Sequence, residues 1–223
     1  MTAERKKFMK KLYPLILDIL AALCLSTAVI IFAVFFTLKF KPLYKFDIKH
    51  LNIESSSKLD SKQLTKNYLT ITGYIKNPSI EVLNLPDLKL SANAQTHFVE
   101  VKKIFMLLKY IFYGCVLLGG LCIYFLYKKE HFKFYKYTSI SLAIIPALLA
   151  IPFLINFDKS FTIFHKIFFK NGYWEFDPAI DPIINTLPQQ FFFHCSLLIL
   201  TIMLVFSLYF TLLYKEKLKR EEI

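Results

Sequence analysis

Four long runs of apolar residues decide what this chain can fold into. They lie at about residues 12–38, 104–127, 138–157 and 191–214. Each holds roughly 20 residues or more. At about 1.5 Å of rise per residue, a helix of that length crosses a hydrocarbon core of about 30 Å. A helix lying on a soluble core keeps polar residues along one face, whereas these runs are apolar all round. The sequence therefore predicts an all-α integral membrane protein with four transmembrane helices, its 223 residues forming a single membrane domain, 1–223. The segments between the first and second and the third and fourth spans, 39–103 and 158–190, are expected to form a small extracytoplasmic cap.

The basic residues Arg5, Lys6, Lys7, Lys10 and Lys11 precede the first run in the manner of a signal peptide. The run exceeds the roughly 7–15 apolar residues of a cleavable signal, and no small-x-small site follows it. Leu23-Cys24 also lacks the small residue that a lipoprotein cleavage site places before its cysteine. The first run reads as an uncleaved anchor. Basic residues also mark the 2–3 connection (Lys128, Lys129, Lys133, Lys136) and the tail (Lys215, Lys217, Lys219, Arg220). By the positive-inside rule both termini and the short 2–3 loop are cytoplasmic. The net charge of +12 is then a topology signal plus a lysine-rich outer loop facing anionic headgroups. No arginine-rich groove with interleaved base-stacking rings accompanies it, so nucleic acid is not an expected partner. Cys24, Cys115, Cys122 and Cys195 fall in or at the edge of the spans without metal-ligand spacing, and read as small packing residues.

Asp18 lies in the first span near its cytoplasmic end, which favours an interfacial or helix-packing role. The outer segment opens with an alternation over 44–53 that predicts a strand. Asp60 and Gln63 have the spacing of a helix-capping box, with Leu64, Tyr68, Ile71 and Ile75 as the apolar stripe behind it and Asn77-Pro78 as the stop. Helix resumes near Ala94, which sets His97 and Glu100 at i and i+3, within hydrogen-bonding reach on one face. Gly119, Gly120 and Cys115 offer small surfaces for close helix contact. Pro146 and Pro152 punctuate the third span.

The stretch 161–193 carries His165, the single tryptophan (Trp174), an acidic and proline-rich middle and many phenylalanines. It is too polar to span a bilayer and too aromatic for an ordinary solvated loop. Such rings favour the boundary between lipid and water. Three of the five histidines, His97, His165 and His194, map to the same outer interface; His131 reads as a cytoplasmic headgroup contact and His50 as a surface residue. His194 heads an apolar helix with no acid nearby in sequence. The chain lacks HExxH, GxSxG, a phosphate loop and a dinucleotide fingerprint. Histidines without a nucleophile suit acid–base catalysis of a transfer in which the substrate brings its own attacking group. No cofactor or metal is expected.

The run H-x-x-acid-V-K from His97 to Lys102, FHKIFF at 164–169, WEFDP at 174–178, DPII at 181–184 and LPQQFF at 187–192 together resemble the lipoprotein intramolecular transacylases. The resemblance covers the whole chain in span number, loop length and orientation. The chain departs from the family pattern at Glu100, where aspartate is expected, and at Gln189, where glutamate is expected after proline. What the resemblance implies is an enzyme of the bacterial cytoplasmic membrane acting on a diacylglyceryl-modified lipoprotein with a free N-terminal cysteine amine. The sn-2 acyl chain would move to that amine and leave a lyso-form lipoprotein. By motif, the catalytic pair would be His97 and His165. Glu100 would orient His97, with Phe164, Phe168, Trp174 and Asp177 supporting or lining the substrate, and membrane lipids as the remaining partners. Two other readings stay open: a membrane metallohydrolase using His97, Glu100 and His165 as ligands, and a non-catalytic module that binds lipid.

Overall fold

The structure, a computed structural model, describes residues 3–221, with side chains described from Leu12 to Arg220. The basic side chains from Arg5 to Lys11 lie outside that range. The described chain is all helical: α1 (Ala3–Lys39), α2 (Lys41–His50), α3 (Ile53–Ser57), α4 (Ser61–Lys76), α5 (Ala92–Tyr127), α6 (Lys133–Ile155), α7 (Phe157–Phe168) and α8 (Gln189–Glu221), with one turn of 3₁₀ helix at Pro182–Asn185. Four of them, α1, α5, α6 and α8, are long and apolar enough to cross a membrane. α5 and α8 extend well beyond the apolar runs, so polar residues such as His97 ride on the ends of spanning helices.

The fold comprises two compact units. The first contains the chain up to Val34, Tyr110–Ala150 and the chain from Ile199. Its core joins Ala21 and Val29 of α1, Cys122 and Leu126 of α5, Phe134 and Leu142 of α6, and Met203 and Phe210 of α8. Gly119 permits a close approach, because a Cβ there would meet the Cβ of Cys24 at 3.0 Å; Gly120 faces open space. Asp18 is buried, and its Oδ1 accepts from the backbone N–H of Phe134 at 3.0 Å. The carboxylate of α1 thus satisfies a free donor at the start of α6. His131 stands 3.5 Å from the other oxygen of Asp18, so it faces an internal acid while remaining partly exposed.

The second unit, Phe35–Lys109 and Ile151–Leu198, contains α2, α3, α4 and α7. Its capping box is formed as the spacing predicts: Gln63 N–H donates to Asp60 Oδ1 at 2.8 Å, and Asp60 N–H donates to Gln63 Oε1 at 3.0 Å. Leu64, Tyr68, Ile71 and Ile75 are all buried, and the helix ends at Lys76 before Asn77-Pro78. The strand expected over 44–53 is instead helix α2. Pro42 pre-sets its first turn, and the buried residues Tyr44, Asp47 and Ile48 stand at i, i+3 and i+4, the period of a helix. Phe46, which suggested the alternation, is 57% exposed on the other face. Tyr44 stacks on Tyr68 with centroids 4.3 Å apart, and Phe191 closes edge-on at 5.3 Å. The Tyr44 hydroxyl donates to the Thr186 carbonyl at 2.9 Å, tying α2 to the turn before α8.

Candidate active site

The site begins where α5 begins. Ser91 precedes the helix; its hydroxyl oxygen accepts from Ala94 N–H at 3.1 Å and its carbonyl from Gln95 N–H at 3.0 Å. Ser91 is itself held by Asp181, whose Oδ1 accepts from Ser91 N–H and whose Oδ2 accepts from Ser91 Oγ–H, both at 2.7 Å. Less than two turns along the helix stands His97, with only 7% of its surface exposed. The expected hydrogen bond between His97 and Glu100 is not made. Glu100 Oε1 accepts from Asn171 Nδ2–H at 2.8 Å, a donor delivered by the loop after α7. Glu100 Oε2 and His97 Nδ1 are both buried without a hydrogen-bond partner.

His165 comes from α7, a helix started by Asn156, whose side chain accepts from Lys159 N–H at 2.9 Å. Its Nδ1 lies 2.8 Å from the Phe161 carbonyl. A carbonyl only accepts, so Nδ1 carries the proton and Nε2 of the neutral ring is left as an acceptor. Burial holds the His165 imidazole below its ordinary range, and the bond to Phe161 opposes that shift. A neutral ring with a free Nε2 lone pair is the form a general base requires.

The two imidazoles meet. Their ring centroids are 6.1 Å apart with planes inclined at 33°. Phe169, 5% exposed, touches both, edge-on to His97 at 4.7 Å and stacked on His165 at 5.6 Å. Phe161 (4.1 Å) and Trp174 (4.7 Å) cover His165, and Phe176 approaches His97 at 5.5 Å. All of these residues belong to the second unit.

The supporting residues named from sequence divide. Trp174 lies on His165. Phe164 stands edge-on to it at 5.5 Å while remaining 46% exposed. Phe168 packs on Phe164 at 4.7 Å and is half exposed. Asp177 is exposed and shapes the loop: its carboxylate accepts from Ala179 N–H at 2.9 Å and its carbonyl from Asp181 N–H at 2.7 Å. His194 has the acid that its sequence neighbours lack. Its Nδ1 lies 2.7 Å from Oδ1 of Asp47, a wholly buried residue of α2. Burial pushes the Asp47 carboxyl above the usual carboxylate range, with the His194 bond opposing.

Phe169, Phe161, Phe176, Asn171 and Asp181 were not picked out as site residues from sequence. The first two stand at i+4 and i−4 from His165, a helical spacing that would have flagged them. Among the described residues, no group of three or more His, Cys, Asp or Glu side chains is arranged to hold a metal ion. Of the residues such a metallohydrolase would use, Glu100 is held through Oε1 by Asn171.

The family model described as lipoprotein intramolecular transacylase Lit matches residues 19–192. The chain belongs to the Lit family. Solved structures of a Lit protein agree with it closely. The membrane-integral lipoprotein intramolecular transacylase Lit from Bacillus cereus superposes with a TM-score of 0.91 at 33% identity, covering 94% of this chain and 98% of that one. A variant of the same Bacillus cereus Lit with one histidine replaced by arginine gives 0.89 at 31%, covering 99% of each chain. A variant with alanine in place of a histidine gives 0.88 at 32%, covering 97% of this chain and 99% of that one. A comparison with the curated proteins returns no match. Like that Lit structure, the chain is a multi-pass membrane protein, with four helices of spanning length.

Proposed function

We propose that this chain moves the sn-2 acyl group of a diacylglyceryl-modified lipoprotein onto the amine of its N-terminal cysteine, with His97 and His165 as the acid–base pair. The observation that carries this reading is the meeting of a buried imidazole, His97, with a partly buried one, His165, 6.1 Å between centroids, inside one aromatic enclosure of a Lit-family fold.

The amine nitrogen attacks the sn-2 ester carbonyl, the C–N bond forms, and the ester C–O bond breaks. A proton leaves the amine and one arrives on the departing glycerol oxygen, so no water is consumed. His165 Nε2 takes the proton, since its Nδ1 is committed to the Phe161 carbonyl. His97 acts through its Nε2–H. Its Nδ1 is buried without a partner, and an orphaned lone pair there costs less than an orphaned N–H. Nε2–H then donates to the developing oxyanion and to the glycerol oxygen. Donor ester and acceptor amine belong to one molecule, so the protein's main contribution is orientation. Effective molarities in well-oriented cases reach about 10⁵–10⁸ M. Phe161, Phe169, Trp174 and Phe176 keep water from the ester, while half-exposed Phe164 and Phe168 turn toward lipid.

The positive-inside pattern supports cytoplasmic termini, with segments 39–103 and 158–190 on the extracytoplasmic side of a bacterial cytoplasmic membrane. A synthetic diacylglyceryl lipopeptide with an isotopically heavy sn-2 chain tests the reading. Purified protein should transfer the heavy chain to the cysteine amine and leave a lyso product of unchanged total mass, resolved by fragmentation. Release of heavy free fatty acid without an N-acyl product would make the protein a hydrolase and refute the transfer.

A further inference from the structure

We propose that Asp181 is a positioning residue for this reaction, setting His97 against His165 by clamping the first turn of α5. The inference rests on the two-histidine reading above and adds a residue to it.

Asp181 is 5% exposed, and both oxygens of its carboxylate are engaged by Ser91. Oδ1 takes the backbone N–H of Ser91 and Oδ2 takes its hydroxyl, both at 2.7 Å. Those are short, charge-assisted bonds in a two-pronged arrangement that fixes direction as well as distance. Ser91 passes the constraint on, because its hydroxyl and carbonyl oxygens receive Ala94 N–H and Gln95 N–H of α5. The carboxylate also sits beside a helix N-terminus, where negative charge is favoured. His97 follows within two turns. Without the clamp, the end of a helix with unsatisfied N–H groups is free to fray.

The other end of the connection is equally specific. Asp181 lies in the same loop as Phe176, which touches His97, and Trp174, which touches His165. A second link, Asn171 to Glu100 at 2.8 Å, joins the same loop to α5 on the far side of His97. His97 is thus bracketed along its helix by two ties to the segment that walls the imidazole pair. His97 Nδ1 has no hydrogen bond of its own, so these ties and the aromatic contacts hold the ring's position.

The test uses the full chain in detergent micelles or vesicles with a synthetic diacylglyceryl lipopeptide. Asp181→Ala should lower kcat by about tenfold to a hundredfold, the cost of a displacement on the order of 1 Å, with KM changed by no more than about twofold. Asp181→Glu should recover part of the loss, and Ser91→Ala should reproduce part of it. A second readout needs no turnover: reaction of His97 with diethyl pyrocarbonate, followed by peptide mass spectrometry. His97 should be modified several-fold faster in Asp181→Ala than in the parent, while His131 in the first unit reacts unchanged. Equal His97 rates in a folded Asp181→Ala protein, or kcat within about twofold of the parent, would overturn the positioning role. If the parent itself makes no lyso product, the transfer reading fails, and the modification rates still decide whether Asp181 holds His97. Should Asp181→Ala unfold, Ser91→Ala carries both measurements.

Discussion

Replacing Phe169 by alanine removes a ring that both imidazoles lean on. At 5% exposure, nearly all of that side chain is withdrawn from solvent. A buried phenylalanine removes about 200 Å², worth about 5 kcal/mol at about 25 cal/mol per Å². The alanine methyl retains part of this and the neighbours relax into part of the void, so the expected loss is about 3–4 kcal/mol. Phe169→Leu, which keeps most of the volume, should cost about 1.5 kcal/mol or less. The kinetic effect should be larger than stability alone explains. With their shared contact gone the rings at 97 and 165 drift, and a displacement on the order of 1 Å costs about a hundredfold in rate. Thermal unfolding in detergent gives the first quantity, and turnover of a diacylglyceryl lipopeptide at saturating concentration gives the second. A folded Phe169→Ala protein that loses less than about 1 kcal/mol and keeps the parental kcat would refute the view that this ring organises the pair.

Three further outcomes follow from particular contacts. The folded-state pKa of His165 is depressed, so its stability contribution is complete above its ordinary value of 6.5 and is lost as pH falls toward the lower folded value. The stability of the parent relative to His165→Gln, measured by thermal unfolding, should therefore decline as pH is lowered below 6.5; an increase would reverse the sign of the argument. His194→Ala leaves the Asp47 carboxylate buried without its partner and should cost about 3–5 kcal/mol, which Asp47→Asn in the same chain should partly restore. Asp60→Ala removes the α4 cap and should cost about 1 kcal/mol in thermal unfolding without altering kcat.

The parts of the fold that sequence made legible are those governed by local periodicity. Span length and all-round apolarity disclose α1, α5, α6 and α8. The Asp60–Gln63 spacing and the stripe from Leu64 to Ile75 disclose α4 down to its last turn. The α2 segment misleads because Phe46 and Ile48 mimic a two-residue alternation, while the residues that bury, Tyr44, Asp47 and Ile48, follow a helical one. Long-range pairing is where local pattern carries no information. Glu100 is within reach of His97 by helix geometry, yet Asn171, distant in the chain, supplies a better donor. His194 finds Asp47 across the fold, and Asp181 finds Ser91. The meeting of His97 with His165 was expected because both map to one end of neighbouring spans, and the motif resemblance named the same two residues. The ring between them, Phe169, sits in the FHKIFF run but reveals its role only once the loop after α7 is folded back.

The most direct test of the account is a double-mutant cycle on kcat for acyl transfer, comparing the parent, His97→Ala, His165→Ala and the double variant in the same vesicles. If the two imidazoles serve one transition state, either single substitution removes most of the activity and the second adds little to the loss, as for residues that act as a unit. Losses that simply multiply, or one single variant that turns over at the parental rate, would contradict the claim that His97 and His165 work together.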